Sequence, residues 1–237
     1  MSNPPPQTKR RADAGLIRTT ERDLRLLRVV GEQYALSVPQ LARLMGRSGH
    51  AGRWLRERWQ RAGWVEGRAL LVGKPPFLWL TRRGLNAAGL DYAVWRPRPG
   101  ALAHVAGVTE VRLDIEQRHP DAEWVSERDL PRIGTGQAAH RPDGLVVLNG
   151  RVVAVEVELT QKDRRRAQRI MGELVVAYQS VTYFASPAPR RQLEALAREI
   201  GAGRVQVAGG PGAVNDPRRR SRTSFGRSRS VSPSRCS

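Results

Sequence analysis

Cysteine is almost missing from this chain. The only one, Cys236, lies in a Ser/Arg tract near the end of the 237 residues, which excludes a disulfide framework and a cysteine-built zinc site and points to a reducing cytoplasm. Long apolar runs are missing too: nothing approaches the roughly 18 residues a membrane span needs. Met1 to Arg11 is proline-rich and polar where a secretory leader would be apolar, so we expect neither a secreted nor a membrane-spanning protein. Lysine is scarce, with 38 of the 41 cations being arginine, and the 22 acids leave a net charge of +19. That balance argues against a strongly cationic partner, and arginine's planar fork suits phosphate and guanine. What is present is enough for a core: 40% apolar residues over this length implies one or two domains.

The charge is unevenly placed. Residues 16–95 carry fourteen cations against six acids, residues 103–216 balance at fifteen each, and the tail from Pro217 adds seven arginines and no acid. Charge concentrated in one module implies a binding surface. We therefore divide the chain into a basic module at 16–95, a stiff basic linker at 96–102 (Trp95-Arg96-Pro97-Arg98-Pro99-Gly100), a neutral module at 103–208 and a tail at 209–237. The tail is Ser/Arg-rich with little to bury, and is expected to be disordered.

In the basic module, Thr20 caps a first helix whose apolar positions are Leu24, Leu27, Val30 and Tyr34. Ser37 and Pro39 open a second helix, which Gly46 ends. A third helix from about Gly49 to Ala62 buries Ala51, Leu55, Trp59 and Ala62 and turns His50, Arg53, Arg56, Glu57 and Gln60 outward; Arg58 falls inside the apolar stripe and breaks the pattern. Two short strands follow, Val65 to Val72 and Phe77 to Leu80, joined by Gly73-Lys74-Pro75-Pro76, and then a helix capped by Thr81. This order predicts a winged helix-turn-helix DNA-binding domain. Arg53 and Arg56 are placed to read guanine edges, with His50 and Gln60 on the same face, Lys74 to reach phosphate or the minor groove, and Arg82 and Arg83 to meet the backbone. A solvated arginine face, or docking onto an acidic protein, is the alternative reading.

In the neutral module a helix from Ala103 to about His119 and a strand at Trp124 to Glu127 lead into His140-Arg141-Pro142-Asp143-Gly144 and two β-branched runs joined by Asn149-Gly150. Asn-Gly between such runs predicts a two-residue type I′ turn. If Leu148 faces Arg151, then Asp143 faces Glu156 and Arg141 faces Glu158, with Glu156 and Glu158 on one face of the strand and Val153, Val155 and Val157 on the other. Three carboxylates converging on one side call for a proton or a cation. Mg²⁺, held by one or two carboxylates with water and substrate phosphate, is the candidate metal at Asp143, Glu156 and Glu158. In the alternative, Arg141 pairs with Glu158 and neighbouring cations neutralise the rest. A helix at 163–178, a strand at 181–185, a helix at 190–200 and a strand at 205–207 complete an α/β sheet domain.

Pro142-Asp143 followed by Glu156-Val157-Glu158 on a helix-flanked hairpin resembles the PD-(D/E)XK nuclease fold. That resemblance implies metal binding by Asp143 and Glu156 and a lysine two positions after Glu156, where this chain has Glu158. Lys162 is placed to supply the missing charge, and Glu110 matches an acidic residue that many members carry on the preceding helix. The winged helix together with Arg-Pro-Asp-Gly-Leu-Val and Val-Ala-Val-Glu-Val-Glu-Leu-Thr-Gln-Lys is similar to the replication-relaxation family of plasmids and other mobile elements, over roughly residues 18 to 208.

The expected architecture is thus mixed α+β and α/β. A DNA-binding protein of a mobile element, acting in replication, relaxation or transfer, is the first functional expectation, located in the cytoplasm with nucleoid or plasmid. Duplex DNA would be its partner, beside a second copy of the chain or other proteins of the element. A Mg²⁺-dependent endonuclease using Asp143, Glu156, Glu158, Lys162 and Glu110 is the alternative, and a module docking an acidic protein the third.

Overall fold

Thr20 and Asp23 close a reciprocal capping box at the start of α1 (Glu21–Glu32). The computed structural model describes residues 19–134, 140–201 and 203–211, and the chain divides into two units, 1–109 and 110–237. The architecture is mixed α+β, with one three-stranded and one five-stranded sheet. Among the described residues no helix is long and apolar enough to cross a membrane. The expectation of a disordered tail falls mostly outside the described residues, as do residues 16–18 of the first expected domain.

In the first unit, β1 (Leu36–Ser37) runs directly into α2 (Val38–Leu44), where Ser37 and Gln40 form a second capping box. Gly46 has φ +60°, and its amide and that of Arg47 reach back to the Arg43 and Ala42 carbonyls, so the helix ends in a left-handed turn that suits glycine. In α3 (Gly49–Arg61), a Cβ on Gly52 would stand 3.0 Å from the Val38 carbonyl and 3.1 Å from the Ala42 Cβ. Glycine there lets α3 cross close over α2. β2 (Val65–Arg68) and β3 (Phe77–Leu80) pair antiparallel, and β1 lies on the other side of β3. Thr81 caps α4 (Arg82–Ala87). Leu27, Val30, Leu36, Leu41, Leu55, Trp59, Leu78 and Leu85 fill the core between these elements.

Three expectations are corrected here. The first strand of the hairpin stops at Arg68, not Val72, because the register pairs Arg68 with Phe77 and would next offer Pro76 and Pro75, which have no amide to donate. Leu70 and Leu71 instead pack beside Phe77, Trp79 and Leu102. Of the expected linker 96–102 only 96–98 lie outside regular structure: α5 (Pro99–Arg118) begins at Pro99, where a missing amide costs nothing, and Leu102 is fully buried. The division between the units falls inside this helix. Finally, Leu24 is exposed and Tyr34 lies beyond α1 at φ 64°, its ring tilted against Trp95 at 5.8 Å between centroids.

The second unit follows as β4 (Glu123–Ser126), α6 (Leu130–Ile133), β5 (Gly144–Leu148), β6 (Arg151–Glu158), α7 (Arg164–Ala177), β7 (Ser180–Ala185), α8 (Pro187–Gly201) and β8 (Val205–Gly209). The sheet order is β4-β5-β6-β7-β8, antiparallel across the first three strands and parallel across the last three. Asn149 and Gly150 both have positive φ (51° and 72°) and Leu148 pairs with Arg151, the geometry expected of a two-residue turn. Ala167, Ile170, Met171 and Leu174 of α7 with Leu193 and Leu196 of α8 pack against Ala154, Val181, Tyr183 and Ala185. By the strand's period of two, Glu156 and Glu158 share that helix-covered face with Ala154.

Candidate functional site

The outer face of α3 is exposed at His50, Arg53, Trp54, Glu57 and Arg61. Its seat is fixed from below by Leu55 and Trp59 in the core and by Arg58, which explains the charge in the apolar stripe. Arg58 donates from both terminal nitrogens to the buried Asp23 carboxylate, at 2.7 and 2.9 Å, and the Trp59 indole nitrogen adds a third bond at 2.9 Å. Trp54 is 54% exposed and carries the Arg58 guanidinium 6.0 Å from its ring centre. The sequence reading gave Trp54 no role, although it lies one position past Arg53 on the same outward arc.

The predicted DNA-contacting residues separate into two groups. His50, Arg53, Lys74, Arg82 and Arg83 are exposed, though Arg82 also donates to the Tyr92 carbonyl at 3.0 Å. Arg56 and Gln60 lean onto β2 instead. Gln60 donates to the Gly67 carbonyl at 3.2 Å, and the Arg56 side chain, 18% exposed, packs near Gly67 with its Nε buried and unpartnered. The small residue at 67 is what admits the Arg56 stem. Beside α3 a groove of about 470 Å³ carries Arg43, Arg47 and Arg53 over a floor that includes Pro39, Pro75 and Pro76, with no acid among the described residues that line it. Arg43, in the last turn of α2, and Arg47, in the turn between α2 and α3, were not singled out from sequence because neither lies on the outward face of α3.

The second cluster is built by the hairpin register. The β5–β6 ladder runs from Leu148–Arg151 to Gly144–Val155, which puts Asp143 opposite Glu156, and Asp143 Oδ2 accepts the next amide, Val157 N, at 2.7 Å. Glu156 is 3% exposed. Its Oε1 lies 3.0 Å from His140 Nε2, while its Oε2 is buried with no partner. Burial, and then the Asp143 charge, push the Glu156 carboxyl up to about 7 against the pull of His140. The hydrogen bond to Glu156 in turn raises His140 above its ordinary value, so each group's titration depends on the other. On the neighbouring strand Tyr183 is in register with Glu156; its hydroxyl is also buried and unpartnered. Burial, and then Glu156, Glu158 and Asp143, push the phenol far above its ordinary value, and it stays protonated.

The structure does not gather all the predicted acids around one point. Glu158 is drawn to Lys162, four residues on, and Arg141 is exposed. Glu110 is half-buried on α5. Among the described residues no three His, Cys, Asp or Glu side chains form a group able to hold a metal ion, and the adjacent pair Asp143–Glu156 is what the ladder brings together. Asp163 caps α7 through Arg166 N at 3.2 Å, and the Glu158 carbonyl accepts from Ser186 N at 2.9 Å, which pins the end of β6 where Glu158 and Lys162 meet. Sequence reasoning assigned no role to His140 or Tyr183. His140 stood three residues before Asp143 as a visible signal, whereas the partner of Glu156 on β7 depends on a parallel register that no local motif sets. No family model matches the sequence, and no curated protein matches it either.

Proposed function

We propose that the chain is a duplex-DNA-binding protein that docks through α3. The observation that carries this reading is the exposed arc of His50, Arg53 and Arg61 beside the groove holding Arg43, Arg47 and Arg53. Guanidinium groups around a concave surface suit phosphate oxygens and guanine edges. The order α1-β1-α2-α3-β2-β3, with β1 and β2 flanking β3, supports a winged helix-turn-helix. Arg53 and His50 are then the base-reading candidates and Arg47, Lys74 and Arg83 the phosphate contacts, while Arg56 and Gln60 brace the hairpin. Affinity for a duplex falls with salt at a log–log slope of about −0.9 per neutralised phosphate. A mobility-shift titration over a range of salt tests this: Arg47→Ala with Arg53→Ala is expected to weaken binding at least tenfold and flatten the slope by about 1 to 2, and unchanged affinity at matched salt refutes it.

One observation favours a second reading, a metal-dependent phosphodiesterase in the second unit: the buried, unpartnered Glu156 Oε2 beside the Asp143 carboxylate. Two adjacent carboxylates, one with a free oxygen, fit a hard divalent cation, which Asp143 and Glu156 would hold. Such an ion, when bound, polarises a phosphate and acidifies a water. Lys162 pairs with Glu158 while its charge favours the ionised form of Glu156, and His140 holds Glu156 Oε1. The sequence α5-β4-α6-β5-β6-α7-β7-α8-β8 supports the likeness to PD-(D/E)XK nucleases, and with the first unit the likeness to replication-relaxation proteins, which would place the protein on plasmid or nucleoid DNA. Incubation with supercoiled plasmid in Mg²⁺, Mn²⁺ or EDTA tests it. Nicking that needs metal and disappears in Asp143→Ala and Glu156→Ala supports a nuclease; a salt-sensitive shift without cleavage in any metal leaves the DNA-binding reading alone.

A further inference from the structure

Four buried side-chain nitrogen or oxygen atoms lack a hydrogen-bond partner among the described residues: Arg56 Nε, Glu173 Oε2, Glu156 Oε2 and the Tyr183 hydroxyl. The last two belong to residues paired in register across β6 and β7, strands that run about 4.8 Å apart, so they project side by side from one face. An unpaired buried hydroxyl is costly, and packing alone does not call for one here: Val181 and Ala185, two positions to either side on the same face, are apolar. Phenylalanine would fill the same space. A cation on Glu156 would satisfy the carboxylate and leave the hydroxyl without an acceptor.

We propose that Tyr183 is a positioning residue of the carboxylate centre, its hydroxyl donating through one bound water to Glu156 Oε2 and fixing Glu156 in the orientation that holds a divalent cation with Asp143. A single water satisfies both orphaned atoms, and buried waters commonly make two to four such bonds. His140 on Oε1 and Tyr183 on the Oε2 side then hold the carboxylate at both oxygens, as outer partners of a metal ligand do. This inference rests on the metal-centre reading of Asp143 and Glu156.

Mn²⁺ binding to the full chain, followed by the electron paramagnetic resonance signal of free Mn²⁺, separates the two claims without recourse to cleavage. Wild type is expected to bind, Glu156→Gln to lose binding, and Tyr183→Phe to bind about tenfold or more weakly with an unchanged or higher thermal midpoint in metal-free buffer. Equal affinity in wild type and Tyr183→Phe overturns the role of Tyr183 while leaving the metal centre standing. Absence of Mn²⁺ binding by wild type overturns both. A Tyr183→Phe chain that does not fold also overturns the inference, because the hydroxyl would then serve the core.

Discussion

Asp23 offers the sharpest test of how the first unit is held together. Its carboxylate is 2% exposed and accepts five hydrogen bonds: two from Arg58 (2.7 and 2.9 Å), one from the Trp59 indole (2.9 Å), and two from Thr20, through its amide (2.9 Å) and hydroxyl (2.8 Å). Burial pushes the Asp23 pKa up, but the bonds from Arg58, Thr20 and Trp59 together outweigh it and hold the group at about 2 instead of 3.8. That depression is worth about 2 kcal/mol of folding stability. Because the folded value lies below the unfolded one, the contribution is complete above about pH 4 and is lost as pH falls toward 2. Asp23→Asn keeps the shape but turns an amide donor toward donors and removes the charge that Arg58 pairs with. Breaking a buried pair in this way costs about 3–5 kcal/mol, and the low end is expected because the Arg58 side chain is 18% exposed and can reach water. Trp54, Trp59, Trp64, Trp79 and Trp95 lie in the first unit against only Trp124 in the second, so tryptophan fluorescence in urea reports this unit. The expected result is a loss of about 3 kcal/mol at pH 7 that shrinks by roughly 2 kcal/mol between pH 5 and pH 2. A loss below about 0.5 kcal/mol, the ordinary range for a surface change, or a difference independent of pH, refutes the argument.

Other consequences follow from single close contacts. Gly84→Ala drives a Cβ into the Trp64 carbonyl, and since backbone cannot give way as a side chain can, we expect a loss above about 3 kcal/mol, read as a lower urea midpoint by the same fluorescence. Glu156→Gln, in metal-free buffer, is expected to stabilise the second unit at pH 8 by on the order of 1–3 kcal/mol and to do less at pH 5. The folded pKa of about 7 exceeds the unfolded 4.5, so wild type loses stability as pH rises through 7, and the calorimetric midpoints of the two chains at pH 5 and pH 8 check the sign. Gly150→Val forces a β-branched residue to φ 72° and is expected to cost about 1–2 kcal/mol, whereas Asn149→Gly stays within about 1 kcal/mol; calorimetric midpoints would rank the two.

Features set by local chemistry are legible in the sequence itself. Thr20, Ser37, Thr81 and Asp163 each cap the helix that follows them, since a side-chain oxygen that accepts from an orphan amide is decided within four residues. Asn149-Gly150 fixed the register of the hairpin, and with it the meeting of Asp143 and Glu156, because a type I′ turn leaves no freedom in which residues oppose. The errors have equally local causes. Reading Val65 to Val72 as one strand ignored that Pro75 and Pro76 cannot complete the ladder beyond Arg68, and reading 96–102 as linker ignored that proline is well suited to open a helix.

What the sequence concealed depends on pairing across long separations. Arg58 looked like a flaw in an amphipathic helix because its partner, Asp23, lies 35 residues earlier on α1, and no periodicity connects them. Tyr183 is harder still. β7 joins β6 in parallel only after the 14-residue α7 has crossed the sheet, so the residue of 180–185 that flanks Glu156 is set by how Ile170, Met171 and Leu174 seat that helix. A shift of one residue would bring Thr182 or Phe184 beside Glu156 and turn Tyr183 to the opposite face. The carboxylate pair is thus written in a turn, whereas its surroundings are written in the packing of a helix. Substitutions that reseat α7 are therefore expected to disturb the Tyr183–Glu156 juxtaposition while the Asp143–Glu156 pair persists.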